Sequence, residues 1–531
     1  MKTYYYYLFV LLIVHGYSVS SEAVEYHIGS DQNYARIGDV PWESLQPGDS
    51  VYIHWQSSSY HEKWVIGRSG TAQAPILVSG VPGPEGQLPV IDGRNATTRQ
   101  ALNYWNERRG LIKIGGSSIP NDPLPSHIII ENLEIRSARP PYTFTNDSGG
   151  QEIYASNAAS FYVEIGQHLT IRHCLIHDSG NGIFIGANGG QTQDVVIEAN
   201  YIYDNGIEGS IYEHNTYTAA IGIIYQYNFM AGLRSGALGN NLKDRSAGLV
   251  IRHNWIEDGN RQLDLVDAED SDVLLNNPAY RSTHVYGNIL KESEGEGNSQ
   301  MVHYGGDSGN EAIYRKGMLY FYNNTLISTR SSNTTLFRLS TNEESGDVHN
   351  NIFYVTAPGV RLGLVGSQGQ LTIRHNWIKT DWRTSHSSFI GTLTDNGSNI
   401  EGTVPGFIDF EQHDYHLDHA SSALDAGVGL HEDLLASHPL TDQYHYHRQG
   451  EDRFDDGQLD LGAFEKIQGI TGDVNGNGSV DLTDVIMALR VVTGFNDTLL
   501  LKPGSDIGSD NRITIAEAIF CLQNISGLLS P

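Results

Sequence analysis

The chain has 531 residues, of which 39% are hydrophobic and 18% charged, so it can bury a core and is not a disordered polyampholyte. Its formal net charge of −29 argues against nucleic-acid binding, which requires a basic face, and against an anionic membrane surface, but it does not exclude an anionic polysaccharide. With only Cys174 and Cys521, the chain is neither a disulfide scaffold nor a Cys-rich zinc protein.

The first predicted element is a targeting segment. Lys2 precedes an apolar run at residues 4–14, and small polar residues follow it at residues 18–23. This order is typical of a secretory signal peptide, and the run is too short to span a bilayer comfortably. We therefore expect residues 1–23 to be a signal peptide and the mature protein to be secreted (extracellular, at the cell surface or periplasmic). A membrane anchor is the alternative interpretation of this run.

The middle of the chain is a repeat. Segments such as LVIRHNWIEDG (249–259) and LTIRHNWIK (371–379) share a short apolar alternation, an Asn and a second alternation. Alternation with period two predicts strands, and a repeat every 25 to 36 residues predicts a solenoid of stacked coils. The Asn amide can bond the coils above and below, and Asn also tolerates left-handed turns. The repeated Asn residues are Asn200, Asn228, Asn254, Asn288, Asn324, Asn351 and Asn376, and Cys174 takes the same position in an earlier copy.

These repeats resemble the right-handed parallel β-helix proteins of the pectate-lyase-like superfamily. The segment PWESLQPGDSVYIHW (41–55) looks like the N-terminal cap of such proteins, and motifs between residues 404 and 465 look like their closing coils. The resemblance implies an all-β protein, a right-handed parallel β-helix solenoid over residues 24–466. A β-sandwich is the alternative, which the unequal steps and the Asn register disfavour. This fold hosts lyases, hydrolases, epimerases and phage tailspikes, so it does not specify an activity.

A short linker at 467–471 leads to a C-terminal calcium module at 472–531. The segment GDVNGNGSVDLTDVIMALRVVTG (472–494) is an EF-hand-type loop followed by a helix with an apolar stripe of Val485, Ile486, Leu489 and Val492. A second, less regular copy follows, in which Gly508 replaces a ligand and Asn511 replaces the turn glycine. The predicted Ca²⁺ ligands are Asp473, Asn475, Asn477, Asp481 and Asp484 in the first loop, and Asp506, Asp510 and Glu517 in the second.

The paired loops resemble a dockerin-type module of carbohydrate-active proteins, a small all-α unit. That resemblance implies Ca²⁺ as the cofactor and a possible cohesin-type scaffold as the partner. Dockerin-like modules also occur without such a partner, so both alternatives stay open. Cys521 is interpreted as a core residue of the second helix.

The densest polar region, residues 208–272, is the predicted site. His214, Lys243 and Asp267 are each about one coil apart, so we expect them to stack on one face, with Tyr217 and Arg245 beside them. Farther along the chain, three more polar residues extend this set: His303, Asp307 and Arg338. Such a cluster offers a base, a cation that neutralises a carboxylate, and an acid for a leaving oxygen.

Those three roles are the roles that β-elimination of a uronate polymer requires. The segment around NNLKDRSAGLVIRHN (240–254) is distantly similar to the lysine-containing motif of chondroitinase-B-like alginate lyases, which implies that Lys243 is the base. The family's Arg-His pair aligns with Val266 and Asp267, so Arg245 or Arg261 has to supply the missing charge. The predicted catalytic set is therefore Lys243, His214, Arg245, Arg261 and Asp267.

Two other functions remain open. A glycoside hydrolase needs a carboxylate pair, and four acidic residues crowd together while Glu213 lies a coil or more away. A non-catalytic glycan-binding surface would use aromatic stacking, for which Trp255 and Trp377 are candidates, although both follow the repeated Asn and are better interpreted as packing residues. The crowded acidic residues are Asp264, Asp267, Glu269 and Asp270.

Overall fold

The structure is a computed structural model that describes residues 23–454, 457–466, 471–475, 479–494, 505–507 and 512–528. Nearly all of the predicted signal peptide, the predicted ligands Asn477 and Asp510, and most of the predicted linker lie outside these residues.

In the described part of the chain, most strands form three long sheets, and the chain visits the sheets in turn, which is the architecture of a parallel β-helix. The first sheet contains Glu25–Ile28, Ser50–His54, Ile76–Val81, Ser126–Glu131, Gln167–Arg172, Gln193–Glu198, Ile221–Gln226, Ala247–Arg252, Ser282–Tyr286, Met318–Tyr322, Ser345–His349, Gln370–Arg374 and Thr392–Asp395. The second contains Val90–Asp92, Glu134–Arg136, Leu175–His177, Tyr201–Ile202, Phe229–Met230, Trp255–Glu257, Ile289–Glu292, Thr325–Ser328, Ile352–Val355, Trp377–Lys379 and Ile400–Gly402.

The third sheet carries the candidate site described below. Its strands, in spatial order, are Gln151–Ile153, Thr143–Thr145, Ala96–Thr98, Glu62–Ile66, Gly110–Ile114, Ala159–Val163, Asn181–Ile185, Thr216–Thr218, Leu242–Asp244, Leu263–Leu265, Gln300–Tyr304, Thr334–Leu339 and Leu362–Val365. All neighbours within it are parallel except Thr143–Thr145 and Gln151–Ile153. Short antiparallel pairs join Asn103–Tyr104 to Ser117–Ile119, Phe407–Asp409 to Asp414–Leu417, and Asp442–His445 to Gln449–Asp452.

The core fills the inside of the coils. In the strand Gln167–Arg172, Leu169 and Ile171 are buried while Thr170 between them is half-buried on the outer face, as period-two alternation requires. Equivalent residues stack from coil to coil, so one apolar cluster runs from Tyr26 to Ile378. Because each coil buries its apolar side against the next, the stacked coils share a continuous core.

The predicted Asn repeat forms a continuous ladder between the first and second sheets. Each ladder Asn donates from Nδ2 to Oδ1 of the Asn in the next coil, at 2.9–3.1 Å, from Asn200 onward. The same Oδ1 also accepts the backbone N–H of the preceding Asn, and Cys174 N–H donates to Asn200. The structure adds Asn399, which the sequence analysis missed, as the last member.

One part of that prediction was wrong, because the ladder Asn is not the left-handed residue. The residue before it takes positive φ instead, for example Ala199 at 54°, Tyr227 at 56° and His253 at 51°. The Asn amide therefore serves hydrogen bonding alone, and the turn strain falls on its neighbour.

The prediction that residues 404–466 form closing coils was also wrong. The last strand of the three long sheets is Ile400–Gly402, after which the chain turns back along the outside of the β-helix. There Tyr415, Tyr444 and Phe464 pack on Trp255, Ile289 and Ile327 of the second sheet. The returning segment covers an apolar outer face that the coils alone would leave exposed.

Four α-helices occur among the described residues: α1 (Asp272–Leu275), α2 (Glu432–Ser437), α3 (Leu482–Val492) and α4 (Ile515–Ile525). Short 3₁₀ turns lie at Ile37–Asp39, Trp42–Ser44, Glu107–Arg109, Asn188–Gly190, Pro278–Arg281 and Glu311–Ile313. No helix within the described ranges is long and apolar enough to cross a membrane.

The C-terminal helices α3 and α4 pack against each other around Val485, Ala488, Ala518 and Cys521, which confirms the interpretation of Cys521 as a core residue. The predicted stripe on α3 is divided, since Val485 is buried whereas Ile486, Leu489 and Val492 are exposed. Helix α4 exposes a matching stripe of Ile515, Ile519, Leu522 and Ile525.

Candidate active site

The candidate site lies on the outer face of the third sheet. One position of each strand points outward and stacks on its neighbours from coil to coil, and we call this line of side chains the outer column. Its members, in strand order, are Lys113, Tyr162, Phe184, Tyr217, Lys243, Asp264, His303 and Arg338. After Lys113, the column is aromatic as far as Tyr217 and ionisable or charged from Lys243 onward.

The register corrects the predicted stacking of His214, Lys243 and Asp267. Lys243 pairs with Tyr217 on one side and with Asp264 on the other. The prediction missed by three residues on each side because turn lengths cannot be read from the sequence. His214 and Asp267 nevertheless lie close to the column, where they contact backbone rather than open groove.

Tyr217 is the centre of the site. Its hydroxyl accepts a hydrogen bond from Arg245 Nε at 3.0 Å, and Lys243 Nζ lies 5.6 Å from its ring centroid. The His214 ring meets the Tyr217 ring edge-on at 5.5 Å. Tyr217 therefore has a guanidinium hydrogen-bonded to its oxygen and a second cationic side chain beside its ring.

Arg245 is almost fully buried and uses its whole guanidinium. Besides Tyr217, it reaches Asp307 Oδ1 at 3.0 Å, Glu269 Oε1 at 2.9 Å and the backbone oxygen of Asp267. Carboxylates on one side and a phenol on the other fix its planar fork. Burial opposes the charge of Arg245, but its neighbours outweigh burial, and its pKa is raised above the ordinary value.

Lys243 lies between two carboxylates. Its ammonium donates to Asp307 Oδ2 and is 3.6 Å from Asp264 Oδ2. Burial alone would raise the pKa of Asp307, yet Lys243 and Arg245 lower it. These contacts pair Lys243 with two carboxylates, and its role as the base, which the resemblance implied, stays a prediction.

Asp267 is fully buried and holds a loop in place. Its Oδ1 accepts the backbone N–H groups of Asp307 at 2.7 Å and Ser308 at 3.3 Å. Its Oδ2 accepts no hydrogen bond from the described residues. Asp267 thus positions the turn that carries Asp307 over Lys243 and Arg245, and its predicted catalytic role stays a prediction.

His214 is also buried, and its Nδ1 accepts the backbone N–H of Asn240 at 2.9 Å. Burial and the charge of Lys243 lower its pKa to about 3, so the ring is neutral at ordinary pH.

Arg261 lies farther along the sheet, 3.8 Å from Asp264 Oδ1, and donates to Gln300 Oε1 at 2.8 Å. Arg261 is therefore not the partner of Tyr217; Arg245 is.

A groove runs beside the aromatic half of the outer column. A hollow of about 550 Å³ is lined by Phe184, Tyr217, Glu213 and Arg109, among others. Arg109 also borders a neighbouring hollow of about 640 Å³, and its guanidinium lies 4.7 Å from the Phe184 ring centroid. Its Nε has no hydrogen-bond partner among the described residues. A groove with aromatic rings, a guanidinium and a phenol suits an anionic sugar polymer.

Sequence reasoning missed Arg109, Tyr162 and Phe184, which lie three, two and one coils before Tyr217. Their signal was weak, because an outward aromatic in one strand looks like any half-buried strand residue until the coils are stacked. Trp255 and Trp377, the aromatic candidates for glycan stacking, are 1% and 0% exposed, which confirms their interpretation as packing residues.

Comparisons with known proteins leave the reaction open. No model of a known protein family matches the sequence, and no curated protein matches it. Among solved structures, an alginate lyase from Paenibacillus sp. str. FPU-7 is similar at 12% identity, with 63% of this chain and 94% of that chain covered and a TM-score of 0.38. The pectate lyase Pel9A matches at 12% identity over 84% of this chain and 98% of its own, with a TM-score of 0.44.

A lacto-N-biosidase from Eubacterium ramulus matches at 10% identity over 72% of this chain and 68% of its own, with a TM-score of 0.38. At identities and scores this low, the likeness carries no information about the chemistry of this chain.

Proposed function

We propose that this protein cleaves an acidic polysaccharide by β-elimination, outside the cytoplasm, with Tyr217 as the group that moves the proton. The observation that carries the proposal is the 3.0 Å hydrogen bond from Arg245 to the Tyr217 hydroxyl, at the wall of a hollow that also contains Arg109. A base and a carboxylate-binding cation facing one space are what the reaction requires.

In this mechanism the uronate carboxylate binds Arg109, which draws electron density away from ring carbon five. The Tyr217 phenolate, held by Arg245, removes the proton from that carbon. The C4–O bond breaks as a C4–C5 double bond forms, and the leaving oxygen takes the proton from Tyr217. Lys243 and Arg245 keep the local field positive while charge develops on the sugar.

The test uses the full chain on alginate, pectate, glycosaminoglycans and neutral glycans, with ultraviolet absorbance of unsaturated uronates and reducing ends measured together. We expect both signals to rise on one acidic polymer and Tyr217→Phe to lose both by about 100-fold or more, a typical contribution of acid–base catalysis. Tyr52→Phe is the matched control, since Tyr52 stacks on His27 of the first sheet, away from the site. Cleavage that survives Tyr217→Phe would overturn the assignment.

Hydrolysis is a second candidate, favoured by Glu213. This side chain is 4% exposed, its Oε2 accepts no hydrogen bond within the described residues, and it lines the same hollow as Tyr217. A carboxyl group in that setting can act as a general acid. New reducing ends without unsaturated uronates, abolished by Glu213→Gln, would establish hydrolysis in place of elimination.

We propose further that the C-terminal unit binds Ca²⁺. Asp484 and Glu517 begin their helices in the same way, as buried carboxylates in capping boxes with Asp481 and Thr514. Asp484 also accepts the backbone N–H of Asn475 at 2.9 Å, which folds the loop onto the helix. The donor set is all oxygen, as a hard cation prefers.

Among the described residues, no three His, Cys, Asp or Glu side chains are grouped to hold a metal ion, so the Asn side chains and residues 476–478 would have to complete the site. We expect Ca²⁺ to raise the unfolding temperature of the C-terminal unit and Asp473→Ala to remove most of that increase. The matched exposed stripes on α3 and α4 support a cohesin-type partner as part of this proposal.

A further inference from the structure

A second group of catalytic character occurs at the far end of the outer column, in side chains that the proposed elimination does not use. His303 Nδ1 lies 2.7 Å from Asp264 Oδ1, and His303 Nε2 lies 2.9 Å from Ser340 Oγ. The three residues come from successive coils of the third sheet, whose register places His303 beside Asp264. A hydroxyl, an imidazole and a carboxylate bonded in that order are the parts of a serine nucleophile system.

The direction of each hydrogen bond follows from the charge of Asp264. Burial alone would raise the pKa of Asp264, but His303, Lys243 and Arg261 outweigh it and lower that pKa, so the carboxylate can only accept. His303 therefore carries its hydrogen on Nδ1. Burial lowers the pKa of His303, which keeps the ring neutral and leaves the Nε2 lone pair for the Ser340 hydroxyl.

Asp264 is fixed independently of His303. Its Oδ2 accepts from Asn240 Nδ2 at 2.7 Å, and both Asp264 and His303 are 2% exposed. The imidazole is thus held on one side by a buried carboxylate that is itself held. Ser340 by contrast is half-exposed, directly after the strand Thr334–Leu339.

The turn at Gly305 and Gly306 lies in close contact with the Ser340 hydroxyl. Gly306 N–H donates to Ser340 Oγ at 2.9 Å, and a Cβ on Gly305 would lie 2.5 Å from the same oxygen. Arg338, exposed and in register with His303, is a second donor on this face. Ser340 Oγ in turn donates to Gly306 O at 3.1 Å, so the hydroxyl hydrogen is shared between that carbonyl and His303 Nε2. Arg338 is the charged group on this face that can neutralise a developing oxyanion.

We propose that Ser340, His303 and Asp264 form a nucleophilic triad that removes O-acyl groups from sugar hydroxyls. Ser340 Oγ bonds to the acyl carbon while its proton passes to His303 Nε2. The C–O bond to the sugar then breaks, and the sugar oxygen takes that proton. Water, deprotonated by His303, cleaves the acyl-serine to give a carboxylic acid and free Ser340.

The triad does not depend on polymer cleavage; only the choice of an acylated polysaccharide as substrate rests on the proposed function. The two activities have separate readouts, acetate release for the triad and unsaturated uronates for elimination. Tyr217→Phe is expected to keep acetate release, and Ser340→Ala to keep chain cleavage. Failure of one proposal is therefore distinguishable from failure of the other.

The first experiment treats the full chain with an alkyl fluorophosphonate and identifies the modified peptide by mass spectrometry. We expect one phosphonyl group, on Ser340, and none after His303→Gln. Because labelling of the native protein needs no variant, a folding defect cannot mask that part of the result. Absence of modification on the native protein, or modification at another serine, would overturn the proposal.

The second experiment measures acetate release from 4-nitrophenyl acetate and from O-acetylated alginate and pectin. Ser340→Ala should lower the rate by about 10,000-fold or more, as loss of a triad member does. Ser308→Ala is the matched control, because Ser308 is half-buried on the neighbouring turn and its Oγ accepts only from Asn310 among the described contacts. Equal rates in the two variants would refute the triad, and circular dichroism melting verifies that both are folded.

Discussion

Two lines of stacked side chains run along this β-helix, and they differ in two respects. The Asn ladder repeats one residue type, fully buried from Asn200 to Asn376, and each amide bonds the next. The outer column changes residue type at every coil, from Lys113 through Tyr217 to Arg338. The Asn ladder repeats one residue type because every coil needs the same hydrogen bonds to its neighbours. The outer column can hold many kinds of side chain, so the particular residues at its centre indicate a specific chemical role.

The two lines also differ in what removal of a member leaves behind. A ladder amide has buried partners on both sides, so its loss leaves unpaired groups inside the protein. A member of the outer column borders a groove that water can enter. Stability should therefore respond to the ladder, and activity to the column.

The largest expected effect is on stability. Asn288→Ala removes donors to Ile251 O, Tyr286 O and Asn324 Oδ1 and should lower the free energy of unfolding by about 3 kcal/mol, since buried partners lose their bonds. Denaturant unfolding measures this loss of free energy. The control is Asn399→Ala, at the half-buried end of the ladder, which should lower the free energy of unfolding by only about 1 kcal/mol. Equal losses would mean that position in the ladder does not matter.

The next effect is on catalysis. Arg245→Lys keeps the charge but loses the fork that joins Tyr217 to Asp307, and we expect polymer cleavage to fall about 30-fold, equivalent to about 2 kcal/mol. Arg252→Lys is the control, because Arg252 bonds Gln226 on the first sheet. If Arg245→Lys destabilises the protein enough to explain the lower rate, the role of Arg245 is structural, like that of the Asn ladder.

A pH effect shows why the buried ladder uses a neutral amide. Glu292, four residues after Asn288, has its pKa raised to about 7, mainly by burial, so its contribution to stability is present below pH 4.5 and is lost as pH rises through about 7. Relative to the native protein, Glu292→Gln should gain about 2.5 kcal/mol of stability between pH 5 and pH 8. Denaturant unfolding at both pH values measures this, and a pH-independent difference would contradict it.

The smallest effect concerns the aromatic half of the column. Phe184→Ala removes a ring that lines the hollow beside Tyr217 and should raise KM about fivefold, close to 1 kcal/mol, with kcat unchanged. Phe184→Tyr keeps the ring and should stay within about twofold. Steady-state kinetics on the cleaved polymer measure both, and a change in kcat alone would place Phe184 in the chemical step.

The sequence by itself determined the repeat, and with it the solenoid, the Asn ladder and the place of Cys174 in that repeat, because period-two alternation and a recurring amide are local signals. It also selected Lys243, Arg245 and Tyr217 as neighbours, since all three lie within one coil length of each other. The helices of the C-terminal unit likewise follow from local apolar spacing and capping residues.

Only the tertiary structure decided which side chains meet. Turns of unequal length set the register, so Asp264 rather than Asp267 pairs with Lys243, and His303 reaches Asp264 from 39 residues away. Stacking of the coils also placed the Arg109 guanidinium over the Phe184 ring. Residues 404–466 turn back along the outside of the second sheet. Contacts across a solenoid depend on the sum of all the intervening turns, and that sum is fixed by packing between coils rather than by any local pattern.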